Sequence, residues 1–266
     1  MFVTKASGKK EEFMPEKISR SLMRAGASKK LATEIVKQVE AKAYDGITTR
    51  EILSMALKIL NVEKPHVSER YDLKRAIMNL GPAGFVFEKF FAEILKNYGY
   101  ETQVGLMIKG RLSMHEIDIV AKKKYRYMVE CKYHNSHGVY TDLKVALYTY
   151  ARFLDLKSNF DFPWIATNTK ISDKAMSYSK GVGIKMTSWS YPQKESLRDL
   201  ITQKKLYPVT ILKSVDAHAK WKLSDANIFF AKDLLELSVQ ELKERTKLKD
   251  SVLRNLISDA KGVLRK

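Results

Sequence analysis

The alternation of hydrophobic and polar residues predicts two neighbouring strands near the middle of the chain, at about 116–121 and 125–133. Side chains along a strand point to opposite faces with a period of two. A tight basic turn joins the strands into a hairpin, so their apolar faces would meet in one core. The opposite face would then carry Asp118, Glu130 and Lys132 together. The residues assigned to the apolar face are Ile117, Ile119, Ala121, Tyr127, Val129, Cys131 and Tyr133.

Residues 1–80 show a short hairpin-like start followed by helical periodicity. The predicted helices are Glu16–Ala25, Lys30–Ala43, one capped by Thr48 or Thr49, and one from about Val67 to Leu80. The Gly81–Pro82 pair is a strong helix stop, since proline cannot continue a helix. It is therefore the expected boundary of a first domain.

The pattern after this boundary alternates between helices and strands. A helix that begins at Gly84 and an early strand at Thr102–Met107 precede the hairpin. The later predicted elements are a helix at Thr141–Leu156 with Leu143, Leu147, Tyr150 and Leu154 on its apolar stripe, a strand at Trp164–Ala166, a helix near Ser172–Lys180, and a strand within 181–189. This order predicts an α/β core with a mixed sheet, although other α/β sheets share it.

The last part of the chain is helical and strongly charged. Two short helices, Val239–Arg245 and Lys249–Leu264, are separated by a tight turn at Thr246–Leu248. The pair resembles a helix–hairpin–helix element, a module that presents backbone amides and lysines to DNA phosphate. A helical pair that packs on the central α/β core, or a dimerisation element, is an equal alternative, because the turn lacks glycine. The expected domains are 1–80, 81–195 and 196–266.

Composition narrows the class of partner. The net charge of +18 is spread along the whole chain, which favours a polyanion such as nucleic acid through phosphate contacts. A membrane surface or an RNA-binding role would give the same balance. Apolar runs are too short to cross a bilayer, so no membrane association is expected. The single cysteine, Cys131, rules out an internal disulfide framework and fits a cytoplasmic protein.

The polar face of the hairpin suits phosphodiester hydrolysis. Asp118 and Glu130 are hard oxygen ligands that can hold Mg²⁺ while the ion keeps part of its water shell. Such an ion polarises a phosphoryl oxygen and lowers the pKa of a bound water. Lys132 could orient that water or neutralise charge in the transition state. The alternative is an ordinary solvated strand face, since Glu and Lys often alternate on strands.

The helix from Gly84 adds a second acidic position. Glu88 projects close to Phe91 and Leu95, at the border of the apolar stripe, where a carboxylate needs a cationic or metal partner. A helix Glu, then Asp118, then the ExK of the VECK phrase resembles the PD-(D/E)xK nuclease superfamily, and most of all its Mrr-type restriction endonuclease branch.

The resemblance covers about residues 81–190, although Glu116–Ile117 stands where the proline of the motif would be. It implies that Asp118 and Glu130 are metal ligands, that Lys132 is the catalytic lysine and that Glu88 is an outer support.

The segment 1–80 resembles an ATP-cone, a small regulatory nucleotide-binding domain. The matching phrases are VTK, EKI, DGITTREI and ERYDLKRAI, in the family's order. The resemblance implies that ATP or dATP binds to Lys5 and Lys17, to the segment Glu11–Lys17 with Glu12 and Phe13, and to Thr49. Ala6–Ser7 replaces the Arg-Asp pair of many cones, which removes one cation. A small basic helical bundle without a ligand is the alternative.

Together these features predict a Mg²⁺-dependent DNA endonuclease whose activity or homo-oligomeric state responds to ATP or dATP. The main alternative is a nucleotide-responsive DNA-binding regulator with an inactive nuclease fold. An RNA-processing nuclease would share the chemistry and differ in substrate. The Cys131, His134 and His137 spacing suggests zinc only weakly, because a structural zinc site needs four ligands.

Overall fold

The computed structural model describes residues 1–81 and 84–265. Pro82 of the expected Gly81–Pro82 stop lies outside the described residues. The N-terminal elements are strands β1 (Phe2–Thr4) and β2 (Lys10–Glu12), and helices α1 (Pro15–Arg24), α2 (Lys29–Lys42), α3 (Thr49–Glu63), α4 (Pro65–Tyr71) and α5 (Leu73–Met78).

The central part alternates between helices and strands. Its elements are α6 (Gly84–Asn97), β3 (Glu101–Lys109), β4 (Met114–Lys122), β5 (Arg126–Lys132), β6 (Tyr140–Thr141), α7 (Leu143–Asp155), β7 (Phe162–Thr167), β8 (Lys170–Ile171), α8 (Asp173–Val182), β9 (Lys185–Thr187) and α9 (Leu197–Gln203). The C-terminal elements are a 3₁₀ turn (Val209–Ile211) and helices α10 (Ala217–Asp225), α11 (Asp233–Glu236), α12 (Val239–Thr246) and α13 (Asp250–Leu264). Within residues 1–81 and 84–265, no helix combines the length and apolar character needed to cross a membrane.

Residue contacts divide the chain into two compact units. The first combines Met1–Ile77 with Tyr207–Lys266, and the second is Met78–Leu206. The two ends of the chain therefore fold together, and the central α/β part is a separate unit.

Helix α3 of the first unit begins at the predicted position. Thr48 is the residue that caps it: its hydroxyl accepts from the Glu51 N–H at 3.1 Å, and the Glu51 carboxylate accepts from the Thr48 N–H at 2.9 Å. This reciprocal capping box satisfies two N–H groups that the helix leaves free. The helix then buries Ile52, Ala56 and Leu60 against the N-terminal core.

Arg70 on α4 links the two parts of the first unit. Its guanidinium donates to the carbonyl oxygens of Ala25 at 2.7 Å, Val263 at 2.9 Å and Arg265 at 2.8 Å. These carbonyls lie at the ends of α1 and α13, where helices leave acceptors without internal partners. One arginine therefore donates to the terminal carbonyl groups of a helix in each of the two chain segments that form the first unit.

The helix expected at Val67–Leu80 is two helices, which corrects that prediction. The chain breaks at Asp72, between α4 and α5, and the Asp72 carbonyl accepts the N–H groups of Arg75 and Ala76. Asp72 is also a residue type that favours helix starts. Its buried carboxylate pairs with Arg75 at 2.5 Å, which holds the new helix start in place.

The second unit contains a five-stranded sheet in the order β3-β4-β5-β7-β9. The first three strands are antiparallel neighbours, whereas β5, β7 and β9 run parallel. The predicted mixed sheet is therefore confirmed. Helix α6 packs its phenylalanines against one face, with Phe91 against Trp164 and Phe87 against Tyr133. Helices α7 and α8 cover the other face, where Ala146 and Ala175 meet Ile165.

Strict alternation fails at one point on β4. Ile117 was assigned to the face of Ile119, but it packs with Val120 and Met128 in a different cluster. The β3–β4 register runs through Val104↔Ile119 and Leu106↔Ile117 without a pair at Gly105. Gly105 has φ of 68°, a conformation that glycine adopts without strain, and it interrupts the ladder opposite Asp118. The side chains on either side of this interruption therefore change faces.

The apolar stripe predicted for α7 is also corrected. Leu147 and Leu154 are 45% and 51% exposed, so they do not form the buried face. The residues that this helix buries are Ala146, Thr149, Arg152 and Phe153. Small residues allow the helix to lie close to the sheet, and an arginine is buried because it finds an anionic partner there.

Candidate active site and nucleotide site

Adjacent strands bring the predicted catalytic residues Asp118, Glu130 and Lys132 together. The register Ile119↔Val129 places Asp118 on β4 opposite Glu130 on β5. The Asp118 carboxylate accepts a hydrogen bond from the Cys131 N–H at 2.7 Å. The Lys132 ammonium lies 2.8 Å from the Glu130 carboxylate. Two acids and a cation therefore share one end of the hairpin.

Glu88 on α6 is half-buried close to this cluster. Burial, together with the negative charges of Asp118, Glu116 and Glu130, raises its pKa to about 7 against the opposing effect of Lys132. Burial and the charge of Glu130 likewise raise the pKa of Asp118 to about 6. Such shifts mean that negative charge has accumulated here with incomplete compensation, a frequent property of functional sites.

Lys132 carries its positive charge within this group. Burial opposes the charged form, but Glu130 and Asp118 outweigh it and raise the pKa of Lys132 above its ordinary value. At neutral pH the side chain is therefore an ammonium group. It can stabilise anionic oxygens or orient a water molecule, but it cannot act as a general base.

Arg152 on α7 is a member of the cluster that the sequence analysis missed. It is 8% exposed and donates to the Glu130 carboxylate and to the Glu116 carbonyl. Its guanidinium also lies 5.1 Å from the ring centroid of Tyr148. The available signal was the spacing of Ala146, Thr149 and Arg152, which places all three on one helix face.

The fit of this cluster to a metal ion depends on Glu130. Within residues 1–81 and 84–265, no group of three or more His, Cys, Asp or Glu side chains is arranged to hold a metal. Asp118 and Glu130 provide two carboxylates, and the two oxygens of Glu130 contact Lys132 and Arg152. Mg²⁺ retains waters and binds through one or two carboxylates, so this donor set suits it once Glu130 releases a cation.

Cys131 is a buried strand residue, whereas His134 lies in the loop after β5 and is partly buried. Cys131 is buried on the α6 face, where burial and the charge of Asp118 raise its pKa well above the ordinary value. The backbone of His134 exchanges hydrogen bonds with the Asn168 side chain, at 2.9 Å and 2.7 Å. Asn168 therefore fixes the loop that leaves β5.

A Ser–His–Asp arrangement beside the hairpin has the wrong geometry for a nucleophilic triad. His115 Nε2 lies 3.1 Å from the Ser113 hydroxyl and 2.8 Å from the Asp155 carboxylate. A triad needs its nucleophile and its orienting acid on different ring nitrogens of the histidine. Asp155 also accepts the N–H groups of Leu112 and Ser113, so this group stabilises the β3–β4 turn.

The N-terminal domain brings together three of the predicted nucleotide-binding residues. Glu11 on β2 forms ion pairs with both Lys5 and Lys17, the latter at 3.4 Å. The hydrogen bond from Lys5 lowers the pKa of Glu11 against the opposing effect of burial, and Lys17 lowers it further. The two lysines therefore converge on one anionic group.

The remaining predicted nucleotide-binding residues, Glu12, Phe13 and Thr49, differ in how far they are exposed. A parallel bridge joins Thr4 to Thr48, so Lys5 and Thr49 follow on neighbouring segments. Thr49 is exposed at the start of α3, and Glu12 is exposed on β2. Phe13 is partly buried and packs against the N-terminal core, which anchors the segment between β2 and α1.

Known proteins resemble both ends of this chain. Residues 1–77 match the ATP cone domain, and residues 207–264 match the family described as AF1548-like, C-terminal. An uncharacterized protein of Archaeoglobus fulgidus is 44% identical over 175 residues, which cover 65% of this chain and 99% of that protein. The chain belongs to the AF1548-like family. A crystal structure of AF1548, a protein of unknown function, is 42% identical with a TM-score of 0.62, covering 68% of this chain and 98% of that chain.

The ATP-cone predicted at the N-terminus of this AF1548-like protein is confirmed. Domains of this type bind ATP or dATP as a regulatory ligand, so nucleotide binding belongs to residues 1–77. The ATP-cone match ends at residue 77, and the AF1548-like match begins at residue 207. The first part of the first structural unit ends, and its second part begins, at the same two residues. The AF1548-like C-terminal segment therefore folds onto the ATP-cone.

Proposed function

We propose that the protein is a Mg²⁺-dependent DNA endonuclease of the PD-(D/E)xK type, related to the Mrr branch and regulated by ATP or dATP. The observation that supports it best is the meeting of Asp118, Glu130 and Lys132 on adjacent strands, with Glu88 on α6 close enough to interact with their charges. The order of helices and strands in the mixed sheet suits the same fold. The basic composition suits a DNA partner.

The roles of the residues follow from their charges. Asp118 and Glu130 would hold Mg²⁺, which when bound polarises the phosphate and supplies a more acidic water. Lys132 remains protonated and would stabilise the charge that develops on the phosphoryl oxygens. Glu88 would accept a proton or a hydrogen bond from water at the edge of the site, because the pKa of its carboxyl is close to 7.

The test is cleavage of supercoiled plasmid with Mg²⁺, with and without ATP, by the wild type and by Asp118→Asn. We expect nicking by the wild type and its loss in the variant, with DNA binding retained in both. Asn keeps the size of the side chain and the bond from the Cys131 N–H, so the fold is preserved. Unchanged nicking by Asp118→Asn would refute the assignment. The same assay with RNA distinguishes an RNA-processing nuclease.

A second candidate function is a nucleotide-responsive DNA-binding regulator with an inactive nuclease fold. The contact of Glu130 with both Lys132 and Arg152 favours it, because these cations occupy the oxygens that a metal needs. Calorimetry with Mg²⁺ separates the two candidates. Metal binding that is lost in Asp118→Asn supports the enzyme, whereas no binding together with tight DNA binding supports the regulator.

A further inference from the structure

An aromatic cavity opens in the second unit at the start of β5 and β7. Its volume is about 390 Å³, and its walls include Tyr125, Tyr127 and Phe162 beside Lys180 and Lys185. Tyr127 and Phe162 face each other across the parallel strand pair, and Tyr125 precedes β5. The aromatic wall is therefore built into the sheet and does not depend on a long loop.

The rings of this cavity are packed together but incompletely covered. Phe162 lies 5.2 Å from Tyr125 and 5.9 Å from Tyr127, measured between ring centroids. Tyr127 in turn contacts buried Trp164 at 5.3 Å. Tyr125 and Phe162 are nevertheless each 40% exposed. The cluster thus packs the rings of Tyr125 and Phe162 against neighbouring aromatic side chains while leaving part of their surface to solvent.

Lysines surround these rings. Lys185 Nζ lies 3.8 Å from the ring centroid of Trp164 and 5.2 Å from that of Tyr127, and Lys124 Nζ lies 5.3 Å from that of Tyr125. Ammonium groups are attracted to aromatic faces in this range. Each of these cations can therefore stay beside the rings while offering N–H donors to an anion.

The charge around the cavity is predominantly positive. Lys180 lines the cavity and is exposed, and the exposed basic turn Lys122–Lys124 directly precedes Tyr125 in the wall. Asp161 is the acid closest in sequence to Phe162, and its carboxylate accepts the Arg126 N–H at 2.7 Å. Burial lowers the pKa of Lys185, and the negative charge of Glu195 offsets part of this effect. The rim therefore attracts anions despite these two acids.

A buried hydroxyl at the wall of the cavity has no partner. Ser179 is fully buried, and its Oγ makes no hydrogen bond within the described part of the chain. Buried polar groups are almost always satisfied by protein or water, so an unpaired one at a cavity calls for a further group. A cavity with exposed aromatic rings in edge-on and tilted contact, neighbouring cations and an unpaired hydroxyl has the features of a binding site.

We propose that this cavity binds an unpaired base of a single-stranded nucleic acid. The base would stack on the exposed face of one of the two rings, Tyr125 or Phe162, and meet the other ring edge-on, since their planes lie 86° apart. Its flanking phosphates would contact Lys180 and the Lys122–Lys124 turn. Single-strand sites combine exposed aromatic rings with a basic track in this way, because every base has a π face. A base inside a duplex is already stacked and does not reach such a ring.

The site is distinct from the proposed catalytic cluster. Lys132 lies five residues beyond Tyr127 on β5, roughly 16 Å away at about 3.3 Å per residue. The two side chains also differ in parity along the strand, so they point to opposite faces of the sheet. Base stacking therefore goes beyond the proposed cleavage, and it needs neither a metal nor Asp118.

The test compares a labelled oligothymidine with a duplex of equal length in EDTA, so that cleavage plays no part. The variant Tyr125→Leu/Phe162→Leu keeps apolar area but removes both rings. We expect its affinity for the single strand to fall about fivefold or more per stacked base, with little change for the duplex. The control Tyr125→Phe/Phe162→Tyr keeps both rings and should bind the single strand as the wild type does.

Three outcomes would overturn the proposal. They are no loss in the leucine variant, an equal loss for single strand and duplex, and an equal loss in the ring-conserving control. Photocrosslinking of the wild type to an oligonucleotide that contains 5-iododeoxyuridine gives a readout without any variant. We expect adducts on Tyr125 or Phe162, and adducts confined to other regions would contradict the site. Displacement of the strand by equimolar thymidine monophosphate would instead indicate a mononucleotide site.

Discussion

Glu130 and Arg152 form a buried ion pair between strand β5 and helix α7, with side chains that are 5% and 9% exposed. Desolvation opposes the burial of each charge, and mutual attraction offsets this only while both partners are present. The pair therefore fixes α7 against the sheet, and it also restrains the carboxylate that the proposed mechanism assigns to the metal. Glu130 would therefore contribute both to stability and to the proposed metal binding.

The first prediction concerns the energy of this pair. Arg152→Met should lower the free energy of unfolding of the second unit by about 3–5 kcal/mol, because it leaves a buried carboxylate with Lys132 alone. The double variant Glu130→Met/Arg152→Met should cost less than the sum of the two single variants, since it removes both buried charges. Urea unfolding can be followed by Trp164 and Trp189 fluorescence in a Trp221→Phe background. Additive effects of the two substitutions would show that the side chains are not coupled.

The second prediction separates catalysis from metal binding at Lys132. Lys132→Met should abolish turnover while retaining Mg²⁺ binding in calorimetry, because in the proposed mechanism the ammonium group acts on the transition state and is not a metal ligand. Lys157→Met, at an exposed lysine beyond α7, serves as the control and should keep its turnover. Loss of metal binding together with activity in Lys132→Met would assign the lysine a structural role.

The sequence predicts the strands of the candidate site better than their surroundings. A period of two was sufficient to place Glu130 and Lys132 on one side of β5, because that strand is regular along its length. It failed for Ile117, because the interruption at Gly105 lies on a different strand and only the register reveals its effect.

Other failures have the same origin in contacts that are distant along the chain. The stripe predicted for α7 did not include Arg152, because the burial of this arginine depends on Glu130, which lies 22 residues earlier in the chain. Arg70 contacts the Val263 carbonyl 193 residues away, and helical periodicity contains no information about such a partner. Local patterns therefore predict which elements form, whereas the polar groups between elements require the fold.

The third prediction concerns the salt dependence of DNA binding. Affinity should fall steeply between low and moderate salt, because each lysine or arginine that contacts a phosphate releases a counterion. The slope of log affinity against log salt concentration, measured by fluorescence anisotropy in EDTA, gives the number of such contacts. A flat response would point to a protein or small-molecule partner in place of DNA.

The fourth prediction concerns alkaline stability of the ATP-cone. Burial raises the pKa of Tyr71 to about 12, above an unfolded value of about 10. The neutral form is favoured by folding, so its stabilising contribution is complete below pH ~10 and is lost as the pH rises towards ~12. Between pH ~10 and pH ~12 the wild type should therefore lose up to about 2–3 kcal/mol of unfolding free energy through Tyr71. The variant Tyr71→Phe should not show this part of the loss. Urea unfolding by circular dichroism at pH ~8 and pH ~11 checks it, and equal losses in variant and wild type would contradict the burial effect.

The last prediction concerns the carboxylate that joins Lys5 to Lys17. If nucleotide phosphates bind these lysines, they must displace Glu11 from both, so Glu11→Gln should increase the affinity for ATP or dATP. Lys17→Ala should decrease it and leave cleavage without nucleotide intact, since the second unit holds the proposed catalytic residues.

The control is Lys37→Ala, at an exposed lysine on α2. Calorimetry measures nucleotide binding, and light scattering with and without ATP shows whether binding changes assembly, which it can do only by favouring one state over another. The first 80 residues contain no G-x-x-x-x-G-K-[ST] loop, so we expect no phosphate release. Weaker binding by Glu11→Gln would make Glu11 a direct nucleotide ligand, and steady ATP hydrolysis coupled to cutting would refute a regulatory role.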